Sequence, residues 1–543
     1  MTSHERRSPE APGGGKERGD RRFFDAQTCH LQSSQRARTG TSSPTSPMRV
    51  LLCTHSIGCV FDDLDNNLAW WLDALDEVVT TSAADFVAVH LQELTGSLFV
   101  RYRAPEEPSM DTIARLSEAV RARFHDFWCS GILCSPVTDA SDFTALGCVF
   151  LVRRSKMRDV SLFEFGSPSG GSGWKSITLL DEPLLPAPGL SERWCRHSSF
   201  PRHFFGELVP ELTTSGRIDH QWTRNGWLHT RWSIEGQPLE LLNVALPGDE
   251  DNLHALHRTA SLSAYANSRQ DALKHALEML NAAGPPAAAL GPLPPALCVF
   301  GELNFRLDVR MVLAQLAGQH ALSDALSSDA RQGGGWHGGG PDTRVALPLL
   351  PVAPSRAGLC SSLARCVARP AVVVEARRFV IDDVGLFATG SDRLRLLSAC
   401  DVEAAACARW SPALVEPSEP TFAPTHSYAL GATSSAALPA FDCTRCPSWC
   451  DRVLLNPVGM RLLRAASDVR YSALEQEGVV RSEHSLVHLA FTLGAGMTVG
   501  HDPLNVRVLA RVAADSSVVS LSDPAPWRLK EAYSTKTSVA VES

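Results

Sequence analysis

Four short segments carry the polar side chains best placed for chemistry: HLQE (90–93), FGELNFR (300–306), CPSWCDRVLL (446–455) and RSEHSLV (481–487). Each sets polar groups at the end of an apolar run, where a rigid strand meets a loop and sites are usually built. They bring the carboxylates of Glu93, Glu302, Asp451 and Glu483, the imidazole of His484, the amide of Asn304 and the guanidinium groups of Arg306 and Arg452. Carboxylates hold hard cations and move protons, histidine titrates near neutral pH, and the arginine fork fits phosphate. Taken singly, Glu93 and Asp451 also read as buried acids paired with arginine; their joint occurrence with His484 and Asn304 is what points to a site. Cys443, Cys446 and Cys450 lack the fourth ligand of a structural zinc site. The glycine run at 333–340 lacks the Gly-Lys-(Ser/Thr) of a phosphate-cradling loop, and His90 reads as a core residue.

The elements that must position these groups follow from hydrophobic periodicity. RVLLCT (49–54), FVAVHLQE (86–93), LGCVFLVRR (146–154), PLELLNVAL (238–246), ALCVFGEL (296–303), RVLL (452–455) and SLVHLAFTL (485–493) read as strands. Leu64, Leu68, Trp71, Leu72, Leu75 and Val79 share a helical face, and helices are expected over 252–282 and 308–322. Strands without regular βαβ intervals predict an α/β domain of two packed mixed β-sheets flanked by helices. This domain is expected over 48–495, after a disordered tail (1–47) and before a C-terminal extension (496–543). Low-complexity stretches at 327–362 and near 410–440 read as surface insertions.

Composition narrows the class. The chain has 543 residues, 44% hydrophobic and 20% charged, with a net charge of −8. This is a globular composition, and the acidic balance disfavours nucleic acid as partner. Fifteen cysteines without a regular framework read as reduced thiols of a cytoplasmic protein. Neither an apolar run of about 18 residues nor a secretory h-region is found, so no transmembrane segment is expected.

The four motifs resemble the signatures of the inositol polyphosphate 5-phosphatases, members of the endonuclease/exonuclease/phosphatase superfamily, whose fold is a four-layer sandwich. The similarity extends to FDDLDNNLAWWL (61–72), DFTALG (142–147), QWTRNGWLHTRW (221–232), FRLD (305–308) and TFAPTHSY (421–428), and it is nearest to the type I branch. It implies Mg²⁺-dependent removal of the 5-phosphate from soluble inositol polyphosphates such as inositol 1,4,5-trisphosphate, with phosphoinositides as a second substrate class. By position, Glu93 would hold Mg²⁺, Glu302 would orient the attacking water, and Asn304 would bind the phosphate. His484 would donate to a phosphate oxygen with Asp451 fixing its charge, and Glu483 stands beside them. Arg224, Arg231, Arg306 and Arg452 would hold phosphate.

Six positions depart from the family pattern: Ser56 for asparagine, Asn225 for lysine, Ala245 for histidine, Glu302 and Glu483 for aspartate, and Ser485 for lysine. Each Asp-to-Glu change moves a carboxylate by roughly 1 Å or more, a displacement that can reduce rate about 10²-fold. The sequence therefore leaves open a repacked working enzyme, a weak one, and a non-catalytic inositol-phosphate binder. The chain ends Ala540-Val541-Glu542-Ser543, without a prenylation box.

Overall fold

The computed structural model describes residues 46–94, 96, 110–134, 144–166, 172–180, 184, 191–201, 225–248, 265–282, 295–318, 320, 323, 344–347, 372–375, 378–381, 387, 392–410, 413–436, 439–442 and 445–494. The first sheet contains β1 (Met48–Ser56), β2 (Phe86–Gln92), β3 (Phe127–Cys134) and β4 (Gly147–Arg153). The second is built from β5 (Val160–Glu164), β6 (Gly173–Ser176), β7 (Arg196–Ser199), β8 (Gly226–Ile234), β9 (Gln237–Ala245), β10 (Ala296–Glu302) and β11 (Asp451–Leu455). The chain then returns to the first sheet as β12 (Ser467–Ala473) and β13 (Val487–Leu493). The strand orders are β12-β13-β1-β2-β4-β3 and β11-β10-β9-β8-β5-β6, with β7 also on β8. Both sheets are mixed: β1 runs parallel to β2 and β9 to β10, and their other neighbours are antiparallel.

Alternation along the strands sorts the layers. On β1 and β2, Val50, Leu52, Phe86 and Ala88 face the second sheet, where Phe86 and Phe150 meet Trp232 at ring distances of 5.2 and 4.5 Å. Leu51, Cys53, Val87 and Val89 face outward onto α1 (Leu64–Thr81) and α2 (Met110–Arg123). Leu242, Val244 and Val299 of the second sheet face outward onto α3 (Ala266–Ala282). Strands buried on both faces read as continuous apolar runs, which is why FVAVHLQ shows no polar alternation. This is the expected α/β sandwich of two packed mixed sheets flanked by helices.

Differences are local. The third helix is described over Ala266–Ala282, so 252–264 lies outside the described residues, and α4 spans Val309–Ala317 with Asp308 capping it through Met311 N–H at 3.1 Å. Within the expected 327–362 insertion, Arg344–Leu347 pairs with Val372–Glu375. The stretch near 410–440 is not a surface insertion throughout: Leu414, Phe422, Thr425, His426 and Tyr428 are buried, because this segment threads between β11 and the turn before β13. The 1–47 tail up to residue 45 and the extension beyond 494 lie outside the described residues. No helix among the described residues is long and apolar enough to cross a membrane, and no disulfide is formed among them.

Gly301 of β10 sits against the backbone of Val244 in β9. A Cβ there would lie 2.1 Å from the Val244 carbonyl oxygen, backbone that cannot yield. Gly301→Ala is expected to destabilise the protein by about 3 kcal/mol, read as a lowered urea midpoint at unchanged slope.

Candidate active site

The strand directions bring one end of both sheets together. β1, β2, β9 and β10 finish there, β11 begins there, and the turn 481–486 leads from there into β13. In register, Glu302 lies opposite Asp451 on one side and Ala245 on the other, while Ser56 lies opposite Gln92 in the first sheet. The Ser56 hydroxyl donates to Glu302 Oε2 at 3.3 Å and so bridges the sheets. Asn304 Nδ2 donates to Glu302 Oε1 at 2.8 Å and to the Leu246 carbonyl at 2.8 Å. Asp451 Oδ2 meets His484 Nδ1 at 2.8 Å, both groups being buried.

Two of the six non-glycine residues with positive φ among the described residues lie here. Glu93, directly after β2, has φ 59°, and Asn304, two residues after β10, has φ 55°. Left-handed conformations at non-glycine residues cluster at functional sites, and asparagine tolerates them better than glutamate.

The electrostatics are set by three acids around one imidazole. Burial alone would lower the His484 pKa, but the charge and hydrogen bond of Asp451, with Glu302 and Glu93 behind them, outweigh it and push it up to about 10. His484 is therefore an imidazolium at neutral pH.

Two further histidines complete the site without having stood out in the sequence. Trp71 Nε1 donates to His55 Nδ1 at 3.2 Å, which puts the His55 proton on Nε2, 3.2 Å from the His484 carbonyl and 3.3 Å from Ser482 Oγ. Burial, against the pull of Asp451, pushes His55 down to about 4, so it works as a neutral strut under the His484 turn. His426 lies 4.3 Å from the His484 ring and accepts from Arg306 Nη1 at 3.0 Å. His55 is adjacent to Ser56, and His426 lies within TFAPTHSY, so position beside a motif was the available signal.

The arginines divide differently from expectation. Arg306 is in the cluster, its Nη2 donating to Asn304 Oδ1 at 3.2 Å and its Nη1 to Cys450 Sγ at 3.1 Å. Arg452 was expected to hold phosphate, but its buried guanidinium is taken up by Asp401 and, at 3.0 Å, by Glu416, on the opposite face of β11 from Asp451. Arg231 is likewise held, by Glu240 at 2.8 Å. It lies five register positions down β8 from Gly226, roughly 17 Å from the strand ends. Arg224 lies outside the described residues. Glu483 is half-buried in the turn before His484, with its carbonyl accepting from Tyr428 N–H at 2.9 Å. Burial pushes the Cys450 thiol up to about 12, which excludes it as a nucleophile at neutral pH.

The shared strand ends of a two-sheet α/β sandwich thus carry a cluster of acids around one imidazole. The chain's curated homologues are inositol polyphosphate 5-phosphatases. It is 25% identical to human inositol polyphosphate-5-phosphatase A over 464 residues, 83% of this chain and 95% of that protein. With the probable type I inositol 1,4,5-trisphosphate 5-phosphatase of Caenorhabditis elegans it shares 29% over 284 residues, 51% of this chain and 61% of the relative. Among solved structures, the inositol polyphosphate 5-phosphatase domain of SPsynaptojanin, in complex with inositol (1,4)-bisphosphate and calcium, aligns at a TM-score of 0.37 and 11% identity, covering 90% of this chain and 92% of that one. No protein-family model matches the chain.

Two outcomes are expected. Because the His484 pKa is raised in the folded state, its contribution to stability is complete below the unfolded value near 6.5 and disappears as pH rises to about 10. Asp451→Asn should therefore destabilise by about 3–5 kcal/mol at pH 6. The gap to the parent should close toward pH 10, as followed by urea unfolding in chelator across that range. Arg452→Met leaves Asp401 and Glu416 buried without their cation and should also lose about 3–5 kcal/mol, measured the same way at pH 7.

Proposed function

We propose that this protein is an Mg²⁺-dependent phosphoric monoester hydrolase that removes the 5-phosphate from soluble inositol polyphosphates such as inositol 1,4,5-trisphosphate, in the cytoplasm, as part of inositol phosphate signalling. The observation that carries the proposal is the joined cluster of Glu302, Asn304, Asp451 and His484 at the common strand ends. The names of the homologues support the same reading. Reduced thiols and the absence of disulfides among the described residues suit a cytoplasmic protein.

Hydrolysis of a phosphomonoester requires a positioned water, charge complementarity to the phosphoryl oxygens and assistance to the leaving alkoxide. Glu302, both oxygens held by hydrogen bonds, orients and deprotonates the water. The His484 imidazolium donates to a phosphoryl oxygen, and Asp451 fixes its ring and keeps it charged. Asn304, expected to bind the phosphate, has both amide hydrogens engaged by Glu302 and the Leu246 carbonyl and accepts from Arg306, so it fixes Glu302 and Arg306 beside the same point. Glu483 lines the turn that presents His484.

Among the described residues no three or more acid, histidine or cysteine side chains converge as a ready-made metal site, so a divalent cation would rest on one or two carboxylates with water completing its shell. Glu93, Glu302 and Asp451 together outweigh one imidazolium, and Asp451 Oδ1 is buried without a partner. Glu93 would hold the ion, whose contribution when bound is neutralisation of charge on the phosphoryl group.

The experiment is inorganic phosphate release from inositol 1,4,5-trisphosphate with and without Mg²⁺, for the parent, Glu93→Ala and His484→Ala. Mg²⁺-dependent turnover by the parent and a loss of at least 10²-fold in both variants are expected. Undiminished release by the variants would overturn the site assignment. Saturable inositol-phosphate binding without turnover by the parent would instead establish a non-catalytic binder.

A further inference from the structure

We propose that Ser56 and Glu302 form one length-matched unit, in which Ser56 is a positioning residue for the water-orienting carboxylate. The inference rests on the hydrolase reading above and goes beyond it, because it joins two of the six departures into a single compensated change.

The distance to be bridged is fixed by the scaffold and not by the two side chains. Ser56 ends β1 and lies opposite Gln92 in register. Gln92 Nε2 donates to Asn243 Oδ1 at 2.7 Å, tying the first sheet to β9 two residues before Ala245, which lies opposite Glu302. The gap between the Ser56 and Glu302 main chains is therefore set next door, by a buried amide pair. Ser56 is fully buried.

Glu302 is also anchored on its far side. Its Oε1 takes Asn304 Nδ2, and that same nitrogen is held by the Leu246 carbonyl, so the carboxylate cannot slide to follow a changed partner. Under these conditions only the summed length of the two side chains is free to satisfy the 3.3 Å hydrogen bond. Removing a methylene from Glu302 withdraws its oxygen by about 1.5 Å, one C–C bond. The Ser56 contact then falls outside hydrogen-bonding range, and a buried hydroxyl loses its acceptor. Lengthening Ser56 to asparagine against an unchanged glutamate crowds the same gap. Making both changes at once restores the sum, with the asparagine amide donating where the hydroxyl did. The short residue and the long one are thus a matched exchange, opposite in direction to the asparagine and aspartate of the family pattern.

The test is a double-mutant cycle over the parent, Ser56→Asn, Glu302→Asp and the double variant. It measures kcat and KM for inositol 1,4,5-trisphosphate with Mg²⁺, and the urea midpoint of each protein. Each single variant is expected to lose about 10²-fold in kcat with KM changed less than threefold. The double variant should recover at least tenfold over either single one. Losses that simply multiply would overturn the pairing, as would losses carried in KM. If the parent itself releases no phosphate, the hydrolase reading falls and the pairing is judged by the midpoints: a double variant more stable than both single variants supports it, and additive midpoint shifts reject it.

Discussion

One buried amide pair decides whether the two sheets present a site at all. Gln92 Nε2 donates to Asn243 Oδ1 at 2.7 Å, Asn243 Nδ2 donates to the Leu91 and Gly147 carbonyls at 3.1 and 2.8 Å, and Thr54 Oγ1 donates to Gln92 Oε1 at 3.2 Å. Apolar contact between the sheets is non-directional and tolerates sliding, whereas a satisfied polar network in a low-dielectric interior admits one arrangement. Two residues further from the site, His90 adds a second rivet. Its Nδ1 reaches the Phe300 carbonyl at 2.9 Å, and its ring stacks on Phe300 at 3.5 Å. Burial pushes His90 down to about 3, so no charge is stored in the interface. Every distance among Ser56, Glu302, Asp451 and His484 inherits the register these rivets impose.

The three site histidines show how one side-chain type is given opposite tasks by its surroundings. His55, on β1, and His484, in the turn before β13, are both buried, and burial lowers each of them. Of the two, only His484 has Asp451 in direct hydrogen-bond contact, with Glu302 and Glu93 close behind, so His484 is an imidazolium at neutral pH while His55 is neutral. His55 donates to the carbonyl of His484 and accepts from Trp71, a neutral link from α1 to the turn. His426 receives Arg306, which keeps that guanidinium turned toward Asn304. His484 thus carries the charge, while His55 and His426 contact the turn and the guanidinium beside it.

Much of this was legible in the sequence, for a physical reason. Strands buried on both faces must be apolar throughout, so the polar residues ending FVAVHLQE, FGE and the run before SLVHLAFTL stand out against them, and those are the residues the fold gathers. Less legible was everything that depends on what lies across a sheet. Arg231 and Arg452 look like free cations in one dimension, but Glu240, Asp401 and Glu416 reach them from segments distant in sequence or from the neighbouring strand. The composition near 410–440 suggested an exposed insertion, yet His426 and Thr425 lie under the site because their partners, Ser448 and Cys450, are supplied by another loop. Asn225 and Ala245 stand side by side at the strand ends, the Asn225 amide nitrogen lying 3.3 Å from the Ala245 carbonyl when oriented to donate; neither offers a cation there.

The contiguity of Trp449-Cys450-Asp451-Arg452 follows from the two-residue period of a strand. As the chain enters β11, Asp451 and Arg452 point to opposite faces, so one tetrapeptide serves both the site and the scaffold. Asp451, facing the sheet interface with Val453 and Leu455 below it, meets His484. Arg452, facing outward with Leu454, closes a buried cluster in which Tyr471 donates to Glu416 at 2.9 Å. Burial pushes Glu416 up to about 7 even with Arg452 beside it, so at neutral pH Glu416 opposes the guanidinium with less than a full negative charge. Before the strand begins, Trp449 anchors to the Phe422 carbonyl at 3.0 Å, and Cys450 sits under Arg306. A substitution at any of the four meets a different partner, although all four lie within one short segment. A scaffold built this way can exchange side-chain lengths at the strand ends, as at Ser56 and Glu302, only where the opposite face leaves the backbone unmoved.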